Sequence, residues 1–160
     1  MGVTGFSFEF TSPVAPSRMF KASVLDACNL APKILPEVIS SAALVHGDGG
    51  VGSVKQYKFT SALPYGHVNE RVDELDEGKM EYKYSVTEGS DIGSKLLSAV
   101  YHIKVGPSGD GGCVYKLTAE YQTVPGVNYT DEEVNVGKEG LIGMFKAVEG
   151  HLLANPQAYA

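Results

Sequence analysis

Thr130-Asp131-Glu132-Glu133-Val134-Asn135-Val136-Gly137-Lys138-Glu139-Gly140-Leu141-Ile142-Gly143-Met144-Phe145-Lys146-Ala147-Val148-Glu149-Gly150-His151-Leu152-Leu153-Ala154-Asn155-Pro156 carries the longest single period in the chain. Thr130 followed three residues later by Glu133 is a capping box, and Asp131 and Glu132 suit the positive end of a helix dipole. Val134, Leu141, Phe145, Val148 and Leu152 then recur at helical spacings, and Pro156 closes the run. The reading is one amphipathic helix of more than 20 residues, about 30 Å long at 1.5 Å per residue.

Everything before that helix reads mainly as strands and turns. Phe6, Phe8 and Phe10 alternate on one face of a first strand, which Pro13 and Pro16 end. From Ser17, a plausible N-cap, the spacing of Met19, Phe20, Val24 and Leu25 predicts a short helix, and Pro32 and Pro36 divide off a second helical turn. Strands follow over 38–45, 53–59, 67–75, 79–86, 96–105 and 113–123. Asp76-Glu77-Gly78 and Gly106-Pro107-Ser108-Gly109-Asp110-Gly111-Gly112 serve as hairpin connections. Pairing about the second loop puts Ala99, Tyr101 and Ile103 on one face with Tyr115, Leu117 and Ala119. Seven antiparallel strands and one long helix make an α+β domain, with the sheet curled around the helix to bury it. No linker or repeat divides the chain, so residues 1–160 are read as a single domain.

Composition narrows the function classes. In 160 residues, 43% are hydrophobic and 20% charged, and 13 basic against 19 acidic side chains leave a net charge of −6. A chain of this size buries roughly two-thirds of its unfolded surface and needs no disulfide or metal staple. The acidic balance argues against a broad grip on nucleic acid or anionic lipid. No apolar run approaches the roughly 20 residues of a membrane span. The start, Met1-Gly2-Val3-Thr4-Gly5, has no secretory pattern, and a strand beginning almost at once argues against reading Gly2 as a myristoylation site. Cys28 and Cys113 are isolated and Asn128-Tyr129-Thr130 is an uninformative sequon, so a reduced, cytoplasmic protein is expected.

Tyrosine dominates the aromatic residues, nine of them with no tryptophan. Met80, Tyr82, Tyr84 and Val86 share one face, as do Lys55, Tyr57 and Phe59. An inward phenol needs a polar partner, so such a face suits a cavity holding water or an oxygenated ligand better than a dry core. Gly137, Gly140, Gly143 and Gly150 each cost the long helix about 0.5–1 kcal/mol relative to alanine. They are read either as sites of close helix–sheet packing or as devices that under-fill the interior.

Other chemistry is poorly supported. Gly47-Asp48-Gly49-Gly50-Val51-Gly52-Ser53 has the outer glycines of a phosphate loop without its lysine, and it joins two strands. A tight turn is the simpler reading, with a backbone anion nest as the alternative. Glu70, Asp73, Glu74, Asp76 and Glu77 around Arg71 read as a solvated charged face. The histidines at 46, 67, 102 and 151 are scattered, and no residues have metal-ligand spacing. No nucleophile elbow supports a serine triad, and no catalytic residue is assigned.

Several segments together carry a resemblance. They are Arg18-Met19-Phe20-Lys21-Ala22, Asn29-Leu30-Ala31-Pro32-Lys33, the 47–53 glycine loop, Arg71-Val72-Asp73-Glu74-Leu75-Asp76, Tyr82-Lys83-Tyr84-Ser85-Val86-Thr87-Glu88-Gly89, Lys146-Ala147-Val148-Glu149 and the 152–159 tail. Over its whole length the chain resembles the plant pathogenesis-related class-ten proteins, the family of the major birch-pollen allergen. That resemblance implies a helix-grip fold: seven antiparallel strands, two short helices in a V, and a long C-terminal helix over a large internal cavity. It implies a plant defence or stress protein, most simply a monomer without cofactor or metal. The cavity would bind small hydrophobic or phenolic molecules such as cytokinins, flavonoids, sterols or other hormones. Carried over by position, the lining is Val24, Ala31, Phe59, Tyr65, His67, Tyr82, Tyr84, Val86, Ala99, Tyr101, Leu117 and Leu141, with Lys55 and Glu70 as inward polar groups. Ser23, Cys28, Ala31, His67 and Ala99 depart from common family choices, and the small residues at 23, 31 and 99 would enlarge the cavity.

The resemblance also implies alternatives. For the weak ribonuclease activity ascribed to relatives, Lys55 and Glu149 match, but Leu97 and His151 replace the other acid and the tyrosine. For the alkaloid-forming norcoclaurine synthases, Glu88 matches the glutamate, while Val86 and the Ser98-Ala99-Val100 stretch lack the tyrosine and lysine. The abscisic-acid receptors of the same superfamily have a gate from which Ser61-Ala62-Leu63-Pro64-Tyr65 departs. A filled core with no ligand is the remaining alternative.

Overall fold

The computed structural model describes residues 2–160. One antiparallel sheet holds β1 (Val3–Ser12), β2 (Ile39–His46), β3 (Val54–Phe59), β4 (His67–Asp76), β5 (Glu81–Gly89), β6 (Leu96–Pro107) and β7 (Cys113–Thr123), in the order β1-β7-β6-β5-β4-β3-β2. Between β1 and β2 lie α1 (Pro16–Phe20), a wider π turn (Lys21–Leu25) and α2 (Ala27–Ile34). The chain ends in α3 (Asp131–Ala154).

Alternation decides the sheet's faces. Along β7, Cys113, Tyr115, Leu117, Ala119, Tyr121 and Thr123 are buried, while Lys116, Thr118 and Glu120 are exposed. The β6–β7 register sets Tyr101 opposite Ala119 and Ile103 opposite Leu117, as the hairpin reading requires. β1 closes on β7 with Phe8 opposite Leu117. The Gly2 amide donates to Thr123 Oγ1 at 2.9 Å, which ties the N-terminal strand down.

α3 starts at the expected capping box, with Thr130 Oγ1 accepting from the Glu133 amide. Its buried residues are Val134, Phe145, Val148 and Leu152, so tight packing belongs to its C-terminal half. There Phe145 lies 5.1 Å from the Phe10 ring and 4.8 Å from Tyr115. Arg18 holds the helix end: Nη2 donates to the Leu152 and Asn155 carbonyls and Nε to that of Ala158.

Three local expectations are corrected. α1 begins at Pro16, whose fixed φ and missing N–H suit a first helical position, so Ser17 is inside the helix and not its N-cap. Pro32 lies within α2 instead of dividing it; its ring removes only the bond that would reach the Cys28 carbonyl. Gly140, Gly143 and Gly150 are exposed and a Cβ there would meet nothing within 4 Å, so these glycines do not shape the interior. Gly137 alone of the four faces a neighbour, the Tyr121 hydroxyl.

Because those positions are open, Gly140→Ala and Gly143→Ala should each stabilise the protein by about 0.5–1 kcal/mol. Gly89→Ala should do the reverse, since Gly89 has φ +88° and a Cβ there would sit 2.0 Å from the His67 carbonyl oxygen. Denaturant melts of the three variants check both directions.

Candidate functional site

The interior is organised around charge that has been brought inside. On β3, Lys55 and Tyr57 point inward and are 7% and 9% exposed. The Lys55 ammonium donates to the Val24 carbonyl at 3.2 Å, near where the π turn gives way to α2, and stands 4.7 Å from the centre of the Tyr82 ring. Glu70 faces Lys55 across the β3–β4 register, yet no ion pair within 4.0 Å joins them among the described residues. Burial lowers the Lys55 pKa, while Cys28 and Glu70 act in the opposite sense. Burial also pushes the Glu70 carboxyl up to about 7 against the pull of Lys55. The Cys28 thiol, half-buried on α2, points to the Tyr57 hydroxyl at 3.9 Å. Burial raises its pKa, opposed first by that contact and then by Lys55.

From this cluster a row of tyrosines crosses the sheet. Tyr82 and Tyr84 have ring centres 5.4 Å apart, and Tyr84 stacks on Tyr101 at 4.9 Å. The Tyr101 and Tyr121 hydroxyls share a hydrogen bond at 3.2 Å, Tyr121 meets Tyr129 edge-on, and Tyr129 donates to Asp91 at 2.7 Å. The Tyr82 hydroxyl is completely buried and has no partner, in a side chain only 4% exposed, and none is seen for that of Tyr84. A buried polar group without a partner costs about 1–3 kcal/mol, so such atoms are kept where something else satisfies them.

The buried apolar residues form one large cluster and a smaller satellite, as is usual for a domain. The smaller holds Ala31, Ile39, Tyr57 and Val68, and Val86 and Met144 touch both. Glu70 and Tyr101 are half-buried, and burial raises the pKa of both.

Of the residues expected to line a cavity, Val24 and Leu117 are packed on all sides at 1% exposure, and Ala31, Tyr82, Tyr84 and Ala99 are also buried. Phe59, Tyr65, Val86, Tyr101 and Leu141 keep partial access, with Phe59 and Tyr65 in edge contact at 5.5 Å. His67 does not belong with them. It precedes inward Val68, and its Nε2 meets Glu88 Oε1 at 3.0 Å on the outer face, beside Asn69. A bulge explains Glu88: Glu70 pairs with Val86 but Asn69 with Glu88, so Thr87 is the extra residue and the alternation slips by one. Glu88, which strict alternation would put on the face of Val86, is therefore exposed. Residue-by-residue reading did not put Cys28, Tyr57, Tyr121 or Tyr129 in the site. Tyr57 could have been found from its shared parity with Lys55, whereas the α2 side of the site leaves no periodic signal.

The other candidates come apart. The groups acting on Lys55 are Cys28 and Glu70, whereas Glu149 acts on Cys113, so the ribonuclease pair is not assembled. In the glycine loop, Gly49 N donates to Ser53 Oγ, Gly50 N to Asp48 Oδ1, Gly52 N to the Val72 carbonyl and Ser53 N to that of Gly50. Those amides serve the turn, and no nest remains for an anion. Arg71 pairs with Asp73 at the surface, as a solvated charged face should. No cluster of metal-ligating side chains occurs among the described residues, and no helix is long and apolar enough to cross a membrane.

Comparison with known proteins gives a consistent picture. The profile of the Pathogenesis-related protein Bet v 1 family matches residues 1–155. The major strawberry allergen Fra a 1.08 of Fragaria ananassa is 45% identical over 159 residues, covering 99% of both chains. The crystal structure of Ara h 8.0201 superposes with a TM-score of 0.85 at 34% identity, covering 96% of this chain and all of that one. Norcoclaurine synthase from Thalictrum flavum, in complex with dopamine and hydroxybenzaldehyde, has a TM-score of 0.77 at 20% identity, covering 96% and 88% of the two chains, a likeness of fold alone.

The Glu70 environment predicts a pH dependence of stability. Its folded pKa, about 7, is above the ordinary 4.5, so the folded state binds the proton more tightly than the unfolded chain. This contribution is complete below pH 4.5 and is lost as pH rises to 7, at most of the order of 3 kcal/mol. In urea melts from pH 4.5 to 7.5, the stability of the native protein relative to Glu70→Gln should therefore fall as pH rises.

Proposed function

Because the chain belongs to the Pathogenesis-related protein Bet v 1 family, we propose that it is a binding protein for small hydrophobic or phenolic ligands held between α3 and the sheet. The observation that carries this reading is the partnerless Tyr82 hydroxyl, in a buried side chain whose ring lies under the Lys55 ammonium. Burial of the ligand's rings against Phe59, Val86, Tyr101 and Leu141 would supply affinity, and Tyr82, Lys55 and Glu70 would orient its oxygens. Cytokinins, flavonoids and sterols fit that mixture of apolar wall and few polar groups. The setting proposed is the cytoplasm of a plant cell in defence or stress, with the protein a monomer.

An enzyme of the norcoclaurine synthase kind is the second reading. The outward Glu88 weighs against it, since the glutamate it would use pairs with His67 at the surface. Proton transfer between Lys55, Glu70 and a bound substrate is the form of catalysis still compatible with the interior.

Displacement of the dye ANS by a panel of cytokinins, flavonoids, sterols and amine precursors tests binding, and mass spectrometry of each displaced compound tests turnover. Displacement without turnover is expected; absence of dye binding would mean a filled core. Tyr82→Phe adds a sharper check. Removing an unsatisfied hydroxyl should leave the free protein as stable or more so, while affinity for phenolic ligands falls about fivefold, for a lost hydrogen bond of about 1 kcal/mol. Thermal melts and dye titrations of the variant read the two effects separately.

A further inference from the structure

We propose that Cys28 captures α,β-unsaturated carbonyl ligands covalently, its sulfur adding to the β-carbon while Tyr82 and Lys55 receive the carbonyl oxygen and Glu70 carries the proton. This deepens the ligand-binding reading and rests on it.

The geometry is convergent. Cys28 follows Val24 by four residues, and the Val24 carbonyl holds the Lys55 ammonium. The thiol meets the hydroxyl of Tyr57, the next inward residue of β3 after Lys55. Lys55 lies over the Tyr82 ring, and the Tyr82 hydroxyl is buried and unpartnered, its pKa raised first by burial and then by Glu70, Cys28 and Asp73. A thiol, a carboxyl, an ammonium and a free phenol donor thus surround one place. Cys113, by contrast, is sealed at 0% exposure in the core at the start of β7, and the charge that acts on it is Glu149.

The step balances without an added oxidant or reductant. The S–H bond breaks and its proton goes to the Glu70 carboxylate as the S–Cβ bond forms. The alkene π pair moves through the conjugated system to the carbonyl oxygen, where the Tyr82 hydroxyl and Lys55 ammonium stabilise the enolate. Glu70 then returns the proton to the α-carbon, the carbonyl is restored, and the product is a thioether of unchanged oxidation level. Asp26, just before α2, and Glu70 from β4 raise the thiol's pKa against Lys55, and burial keeps it protonated at rest. It is therefore a poor nucleophile toward reagents in bulk water, and reaction depends on a ligand bound in register with Tyr82 and Glu70.

The test uses trans-chalcone with the full-length protein at pH 7, followed by intact-mass measurement, peptide mapping and ANS displacement in parallel. The expected result is one chalcone per chain, on the peptide carrying Cys28, with none on Cys113 and none in Cys28→Ser. At saturating chalcone, Tyr82→Phe and Glu70→Gln should still displace the dye but form the adduct at least about tenfold more slowly. Iodoacetamide labelling of Cys28 should respond little to Tyr82→Phe, which separates loss of the oxygen site from a general change in thiol access. Dye displacement without adduct would overturn the covalent step and leave ligand binding standing, as would an adduct rate unchanged in Tyr82→Phe. Chalcone that neither displaces dye nor adds, in a protein that binds no other panel compound, would overturn both.

Discussion

The contact of Phe145 with Phe10 and Tyr115 sets the terms for the rest of the interior. It pins the C-terminal half of α3 against β1 and β7, and Val148 and Leu152 complete that packing. Between Val134 and Phe145 the helix has no fully buried residue. Leu141, Ile142 and Met144 lie over the sheet with surface still accessible. The C-terminal half of α3 is thus the closely packed half, whereas its middle keeps partial access to solvent. Lys55 is held inside by the Val24 carbonyl and the Tyr82 ring, and Glu70 faces it across the sheet.

The same division explains the tyrosines. Near the packed end, Tyr115 behaves as a large apolar residue against Phe8 and Phe145. Farther along the row, the Tyr101 and Tyr121 hydroxyls satisfy each other and Tyr129 donates to Asp91. The Tyr82 hydroxyl, at the other end, is buried without a partner. A phenylalanine there would lose no hydrogen bond.

Much of the architecture was legible because it rests on periodicity. The Thr130–Glu133 box, the stripe of α3 and the 106–112 hairpin connection all express strong local rules that tertiary packing did not override. The inward side of Lys55, Tyr57, Tyr82 and Tyr84 followed from parity. What failed was whatever depends on one residue of register or on a neighbour in space. Ser17 had the chemistry of a cap, but Pro16 claimed the first turn. The glycines of α3 carry no direction in a sequence, and three of them face solvent. His67 was placed by analogy of position, and the structure gives it Glu88 as partner on the outer face. Cys28 entered the site from α2, and no spacing rule relates that helix to β3.

The bulge at Thr87 makes the chemistry of the interior a matter of strand length as well as side-chain identity. One residue inserted into β4 between Asn69 and Glu70 would give Thr87 a partner and restore regular alternation. With Glu70 and Val86 still inward, Glu88 would swing to their side together with Asn69, while Val68 would turn outward, so a second carboxylate would enter the interior as a core valine left it. Small insertions at this sheet irregularity thus decide which charges face inward, by a change of count and not of alphabet.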